Sequence, residues 1–414
     1  MGHRGRRWDA VDSLEPRASG DRWLGVGRTE AADPHLAGKE AVTAAVGGRT
    51  PSLIMVFCSP TYDHQLLLDA VRAGVPERTP IVGCTTDGQI AGPGVSLDGG
   101  NVRRGAVVMA FGGPGFEVRT EIVRGASSRR REAGMEAAAV MADIQRPHEI
   151  CLLLSDGLTM EQHEIVRGAY SVLGAAVPVV GGCSGDDLRY EGTYQFRGDG
   201  TGVEILSDAV VAVGLGSDAP FGIGIAHGWA KSGDPMIVTR SSGGRVYTLD
   251  NEPALDVYLR RLGADRSLLE DVDTFRLHAF QNPLGLSRRT GEDIRVVHDG
   301  DAADGSLVCL ADVPQGALAW AMTTDPDSLI AAAADSCRQA LSMLDGAPPI
   351  GLLAFDCGAR KIMLGDEGVR REIAAIGEAA GGAPFGGLYT YGEMARTHGA
   401  RGMHHLTVVA LAVA

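Results

Sequence analysis

The chain has 414 residues, 44% hydrophobic and 22% charged, with a formal net charge of −14; that length exceeds one ordinary core, and the balance is globular. Such an acidic surface repels nucleic acid and anionic membrane, and no apolar run reaches the ~18 residues of a spanning helix. Seven cysteines without a CxxC pair point to free thiols in a reducing cytoplasm, and 58 glycines, roughly twice the usual share of about 7%, point to many special turns.

Residues 1–22 read as a flexible tail. They carry Arg4, Arg6, Arg7 and Arg17 and no apolar core, and Arg6-Arg7 lacks the apolar stretch of an export signal. Three segments then read alike. Each opens with an apolar run of strand length: Leu53 to Ser59, Ile150 to Ser155, and Ile350 to Phe355. A helix-like stretch follows, then a glycine turn: Gly83 to Gln89, Gly181 to Asp187, and Gly386 to Glu393. A second apolar strand closes each segment: Ala106 to Phe111, Ala209 to Val213, and Leu406 to Leu411. Strands apolar without alternation are buried on both faces, as in mixed sheets covered by helices.

Asp63 caps a helix running to Ala73, with Leu66, Leu67, Ala70 and Val71 on its apolar face. Gly192 to Ala209 reads as hairpins turning at Gly198 to Gly200. The strand pattern breaks between Phe221 and Pro235, which sets domains at 23–226 and 227–414. In the second domain Asn282 to Asp312 is strand-rich, and Asp325 caps a helix with Pro326 at its first position. The expected fold is α/β: mixed β-sheets flanked by helices, built from repeated strand–helix–glycine-turn–strand units in two domains.

Enzyme signatures fail along the chain. There is no P-loop, Arg167 stands where a zinc-protease helix needs its second histidine, and Gly182 to Asp186 lacks the last glycine of a nucleophile elbow. Gly214 to Ala219 fits a loose dinucleotide pattern, but Pro220 follows where a helix must begin. The glycine turns remain. Turns at strand ends in open α/β sheets are where ligands bind, and these carry Cys84 and Thr85, then Cys183, Ser184 and Asp186, then Tyr389, Tyr391 and Glu393. Their amides face an anion, and their carboxylates a cation. Arg360, just past a buried strand, suits bidentate binding of a carboxylate. His227 and Trp229 form a candidate ligand contact, and His398, His404 and His405 a weaker candidate metal cluster.

The sequence resembles the FIST family, which has an N-terminal and a C-terminal FIST region. The resemblance rests on Leu53 to Ser59, Pro80 to Gly88 and Val180 to Asp186. It continues in His227 to Trp229, Val238-Thr239, Cys357 to Arg360, Phe385 to Glu393 and His405 to Thr407. Gln89 departs from the expected acidic residue, which weakens a charge role for the first turn. The resemblance implies a sensory protein in signal transduction that binds a small molecule, with amino acids the usual ligand proposed; with the failed enzyme motifs and the free cysteines, the expected protein is non-catalytic and cytoplasmic. Arg360 and turn amides would then take the carboxylate, and Glu393 or Asp186 the ammonium. It also implies a separate signalling partner such as a histidine kinase or cyclase, while the acidic charge argues against nucleic acid and membrane. The alternative implied by the family is a haem-binding nitric-oxide sensor, with His227 as axial ligand; otherwise no cofactor is expected. A third reading is an enzyme with Cys84 or Cys183 as nucleophile and His227 as base.

Overall fold

The computed structural model describes residues 21–92, 105–200, 202–288, 291–396 and 402–414. Residues 1–20 of the expected tail and His398 lie outside the described residues.

In chain order the first elements are β1 (Trp23–Thr29), α1 (Pro34–Val46), β2 (Pro51–Cys58), α2 (His64–Ala73), β3 (Ile81–Thr85), β4 (Gln89–Ala91) and β5 (Ala106–Gly112). Next come β6 (Phe116–Arg124), α3 (Arg130–Ala138), β7 (His148–Ser155), α4 (His163–Leu173), β8 (Val179–Cys183), β9 (Gln195–Gly198), β10 (Glu204–Leu206) and β11 (Ala209–Ser217). After β12 (Phe221–Ala226) an insertion holds β13 (Ala230–Ser242), β14 (Arg245–Leu249), β15 (Glu252–Pro253), α5 (Ala254–Leu262), α6 (Val272–Gln281), β16 (Leu284–Arg288), β17 (Gly291–Arg295), β18 (Val297–Asp301), β19 (Ser306–Cys309) and β20 (Leu318–Thr323). The chain closes with α7 (Pro326–Ser342), β21 (Gly351–Cys357), α8 (Gly358–Ala380), β22 (Phe385–Thr390), β23 (Glu393–Arg396), β24 (Met403–His404) and β25 (Val408–Val413).

Three sheets share one strand order. They run β1-β5-β2-β3, β6-β11-β7-β8 and β12-β25-β21-β22. In each, the second strand is antiparallel to its neighbours on both sides, and the last two strands are parallel. Parallel strands need a crossover, and α2, α4 and α8 supply it. We call these units 1, 2 and 3; the insertion interrupts unit 3 and forms its own eight-stranded sheet, β17-β16-β20-β13-β14-β19-β18 with β15 on β14.

Alternating side chains explain the unbroken apolar runs. In β2, Leu53, Met55 and Phe57 join the central core, to which β7 sends Leu152 and Leu154 and β21 sends Leu353 and Phe355. The residues between them face the helices: Ile54 and Val56 in unit 1, Cys151 and Leu153 in unit 2, Leu352 and Ala354 in unit 3. Both faces are dry, so neither needs polar residues. One glycine in the last strand of each order, β3, β8 and β22, has a packing reason. A Cβ on Gly83, Gly181 or Gly387 would lie 1.9 Å from the carbonyl oxygen of Val56, Leu153 or Ala354 on the paired strand. No larger residue fits there.

The capping expectations hold. Asp63 accepts from the Leu66 amide at 3.1 Å, and Asp325 accepts from the Ser328 amide at 2.8 Å ahead of Pro326. β9 and β10 form the expected hairpin after unit 2.

The units exchange strands in a ring. After β3 the chain leaves unit 1 and adds β4 to β22 of unit 3. After β22 it adds β23 to β8 of unit 2, and after β8 it adds β9 to β3 of unit 1. Each exchange starts at a glycine turn, so the topology brings the three turns to one place.

Candidate functional site

Backbone hydrogen bonds lace the turns together. The Asp87 amide donates to the Tyr389 carbonyl at 3.0 Å, and the Tyr389 amide donates to Gly88 at 2.8 Å. The Gly185 amide donates to Thr85 at 3.0 Å, and the Cys183 amide to Gly392 at 2.9 Å. Residues about 300 positions apart in sequence are thus neighbours.

Most of the expected ligand groups are engaged by the protein itself. Thr85 Oγ1 accepts from the Tyr194 amide at 3.0 Å. Ser184 Oγ donates to Ser155 and accepts from Gln195. Asp186 accepts from the Tyr391 hydroxyl and from the amides of Tyr190, Glu191 and Gly192. Burial works to raise its pKa, but these four donors hold it below the ordinary value. Glu393 is fully buried and is satisfied by Thr390 Oγ1 at 3.0 Å and by the Thr407 amide and hydroxyl at 3.1 and 2.8 Å. Burial still lifts its pKa to about 7.

Arg360 lies beneath the turns with no exposed surface. Its guanidinium reaches Asp356 at 2.8 Å, Glu372 at 2.6 Å, and the carbonyls of His227 and Leu329 at 3.0 Å each. Burial and the Glu372 charge raise the pKa of Asp356 well above normal, while the two carboxylates hold Arg360 charged. Tyr389 completes this cluster by donating to Glu372 at 2.9 Å. With its donors so engaged, Arg360 braces the floor.

Cys84 and Cys183 are fully buried, and burial raises both thiols, Cys183 to about 12. A thiol so placed is a poor nucleophile, and the partner of Cys183 is Ser155 at 3.3 Å. His227 sits where β12 enters the insertion. Its Nδ1 accepts from the Trp229 amide at 2.9 Å, which leaves the proton of the neutral ring on Nε2. Haem ligation asks that ring for a bare outward nitrogen, and neither cavity described below is lined by His227, so the residue as placed does not fit haem. Trp229 is buried in the core around α7 and α8. His404 Nε2 lies 3.0 Å from the Ala395 carbonyl, and burial holds His405 down to about 3. Among the described residues, no group of three or more His, Cys, Asp or Glu side chains is placed to hold a metal ion.

What remains is a cavity of about 180 Å³ between the turns and α8, lined in part by Asp87, Leu188, Gly358, Lys361 and Asp366. Asp87 is 2% exposed. Its Oδ1 accepts from the Asp187 amide at 2.8 Å, while the buried Oδ2 has no hydrogen-bond partner. Burial lifts this carboxyl to about 7, against the lowering influence of Lys361. Across from it, Lys361 Nζ donates to the Asp87 carbonyl and to Asp187 Oδ1 at 3.2 Å. A Cβ on Gly358 would lie 2.2 Å from Asp87 Oδ2, so only glycine leaves this space beside the carboxylate. Asp187 and Leu188 both have φ near +61°, a strained state for a bulky residue. The Asp87 carboxylate and the Tyr391 hydroxyl, which accepts from the Leu188 amide at 2.9 Å, hold them there.

Asp87 and Lys361 are therefore the groups that sequence reasoning missed. The first turn does carry an acidic residue, Asp87, two positions before Gln89. Lys361 is the neighbour of the arginine chosen.

Two family models cover most of the chain: the FIST N domain matches residues 52–252 and the FIST C domain residues 254–396. An uncharacterized protein of Mycobacterium tuberculosis is 27% identical over 401 residues, covering 93% of this chain and 97% of that one. An uncharacterized protein of Methanocaldococcus jannaschii is 26% identical over 173 residues, 40% of this chain and 33% of that one. A cyanuric acid hydrolase from A. caulinodans aligns over 95% of this chain and 99% of its own, at 13% identity and a TM-score of 0.28. No helix among the described residues is long and apolar enough to cross a membrane. On the two matched regions, the chain belongs to the FIST family, whose domains are associated with sensory signal transduction and small-molecule binding.

Proposed function

We propose that this chain is a non-catalytic sensory protein of the cytoplasm whose ligand is a small amino acid, held in the cavity between the glycine turns and α8. The observation that carries this reading is Asp87 Oδ2, a buried carboxylate oxygen without a partner, in a cavity that Lys361 also lines. An unsatisfied buried acceptor costs about 1–3 kcal/mol, more when charged, and a ligand ammonium would remove that cost. Lys361 Nζ, with three donors, would take the carboxylate. The two charges of a zwitterion would thus meet opposite charges in one small space. At about 180 Å³ the cavity falls below the roughly 300–1,000 Å³ of drug-sized sites, which favours glycine, alanine or serine over aromatic amino acids. Buried free cysteines fit a reducing compartment. The signal would pass to a separate partner such as a histidine kinase or cyclase, by way of the strained Asp187–Leu188 segment that forms part of the cavity wall.

Calorimetric titration of the full chain with single amino acids tests this. Small amino acids should bind, and both Asp87→Asn and Lys361→Met should weaken binding at least tenfold with the fold retained. Absence of binding by every amino acid, or undiminished binding by both variants, would overturn the reading.

A further inference from the structure

A second, larger cavity of about 570 Å³ lies between unit 2 and the inserted sheet. Four arginines line it: Arg131 from α3, Arg167 from α4, Arg295 from β17 and Arg396 from β23. In a chain of net charge −14, four guanidinium groups from four separate elements around one cleft are not a solvated helix face. Asp312 is the acid among the lining residues, and it pairs with Arg167 at 3.3 Å and His163 at 3.7 Å. Glu164 also pairs with Arg167, and Asp293 lies 3.6 Å from Arg295.

Two of the arginines are fixed in place. Arg295 is 4% exposed, and its guanidinium donates to the carbonyls of Asp312 at 2.9 Å and Ile294 at 2.8 Å. Arg396 is 5% exposed and stacks over the Tyr170 ring. Cations already held this way lose little freedom on binding. Arg131 and Arg167 are exposed at the rim, where Arg167 would exchange its pairing with Asp312 for a ligand. Guanidinium forks match phosphate bidentately, and a phosphomonoester brings a charge of about −1.5 to −2. The volume lies within the roughly 300–1,000 Å³ of ordinary ligand sites, too large for phosphate alone. Val166 and Met403 give the wall an apolar section for an organic group.

We propose that this cleft binds a small organic phosphomonoester of about mononucleotide size, its phosphate among the arginines and its organic part against Val166 and Met403. Phosphate would compete with Asp312 for Arg167. Because Asp312 belongs to the insertion and Arg167 to unit 2, occupancy would replace a direct ion pair between them by a ligand bridge.

The test is calorimetric titration of the full chain with adenosine 5′-monophosphate, adenosine and inorganic phosphate at low and physiological salt. The nucleotide should bind, more weakly as salt rises, with inorganic phosphate at least tenfold weaker and adenosine without measurable binding. The double variant Arg131→Gln, Arg167→Gln removes rim charges and should weaken nucleotide binding at least tenfold. Arg338→Gln, on α7, should leave it unchanged. No binding of the nucleotide, equal binding of adenosine, or undiminished binding by the double variant would overturn the proposal. Inorganic phosphate binding as tightly as the nucleotide would overturn its organic part.

Discussion

The Asp87 turn and the Asp186 turn occupy the same place in two units, yet their carboxylates do opposite things. Both follow the last strand in their unit's order, β3 or β8, and both aspartates are 2% exposed. Asp186 is surrounded by four donors and lies below its ordinary pKa. Asp87 receives one amide, keeps one oxygen without a partner, and is pushed up to about 7. Deeper burial and fewer donors together lift Asp87, whereas at Asp186 four donors outweigh a weaker burial effect. One carboxylate is consumed in building its loop, and the other is left facing a cavity.

The same division separates two neighbours on α8. Arg360 makes four hydrogen bonds within the protein, two of them to buried carboxylates, whereas Lys361 reaches toward the Asp87 cavity. Arg360→Met would leave Asp356 and Glu372 buried without their cation. Removing one partner of a buried ion pair costs about 3–5 kcal/mol, so denaturant unfolding should show a loss of that order. A loss below about 1 kcal/mol would mean that Arg360 is not the brace described here.

The pH dependence of stability distinguishes the two aspartates next. The Asp87 carboxyl titrates near 7 in the folded chain and near 3.9 when unfolded. Between those values the folded state holds a proton that the unfolded state has released. Its contribution to stability is therefore fully present below about pH 4 and lost as pH rises through 7. His405, held down to about 3, works oppositely below about pH 6.5, so the curve of the wild type alone does not isolate Asp87. The difference between wild type and Asp87→Asn does. It should move against the wild type by roughly 2–3 kcal/mol from pH 5 to pH 8. A flat difference would break the comparison. Amino-acid binding should run the other way and strengthen over the same interval, since the ammonium needs the ionised form.

Asp186→Asn should behave differently. An amide oxygen cannot serve four donors, and hydrogen bonds to a charged group are each worth about 1.5–3 kcal/mol. A loss of about 2 kcal/mol is expected, nearly constant between pH 5 and 8 because this carboxylate is ionised throughout. A pH-dependent loss would show that its donors do not hold it as described.

Much of this fold was legible in the sequence, and the reasons are local. The apolar runs at Leu53, Ile150 and Ile350 announced strands buried on both faces, and the caps at Asp63 and Asp325 announced their helices. The convergence of the turns was harder to read, because it depends on β4, β9 and β23 each crossing to another unit. Two of those strands have four residues and one has three, too short to leave a pattern. The site suffered from one misleading preference. Bidentate chemistry favoured Arg360, but its partners Asp356 and Glu372 lie four and twelve positions away, and nothing in spacing said that Glu372 folds back onto it. Asp87 had a usable signal: it stands in the same glycine-turn context as Asp186, and Gln89 drew the attention instead.

Lys361→Met should have the smallest effect on stability. Its ammonium is about a quarter exposed and pairs with Asp187 at 3.2 Å; exposed pairs of this kind contribute about 0.2–1 kcal/mol. The loss should stay under about 1 kcal/mol, several times smaller than for Arg360→Met one residue earlier. Yet this charge also lowers the titration of Asp87, so the midpoint of that carboxyl should rise in the variant, a shift that a carbon-13 carboxyl resonance would report directly. Small stability loss, a higher Asp87 midpoint and lost amino-acid binding form one pattern, because all three follow from a cation placed beside that carboxylate and spared from holding up the core. An unchanged midpoint would mean that the two side chains do not share a site.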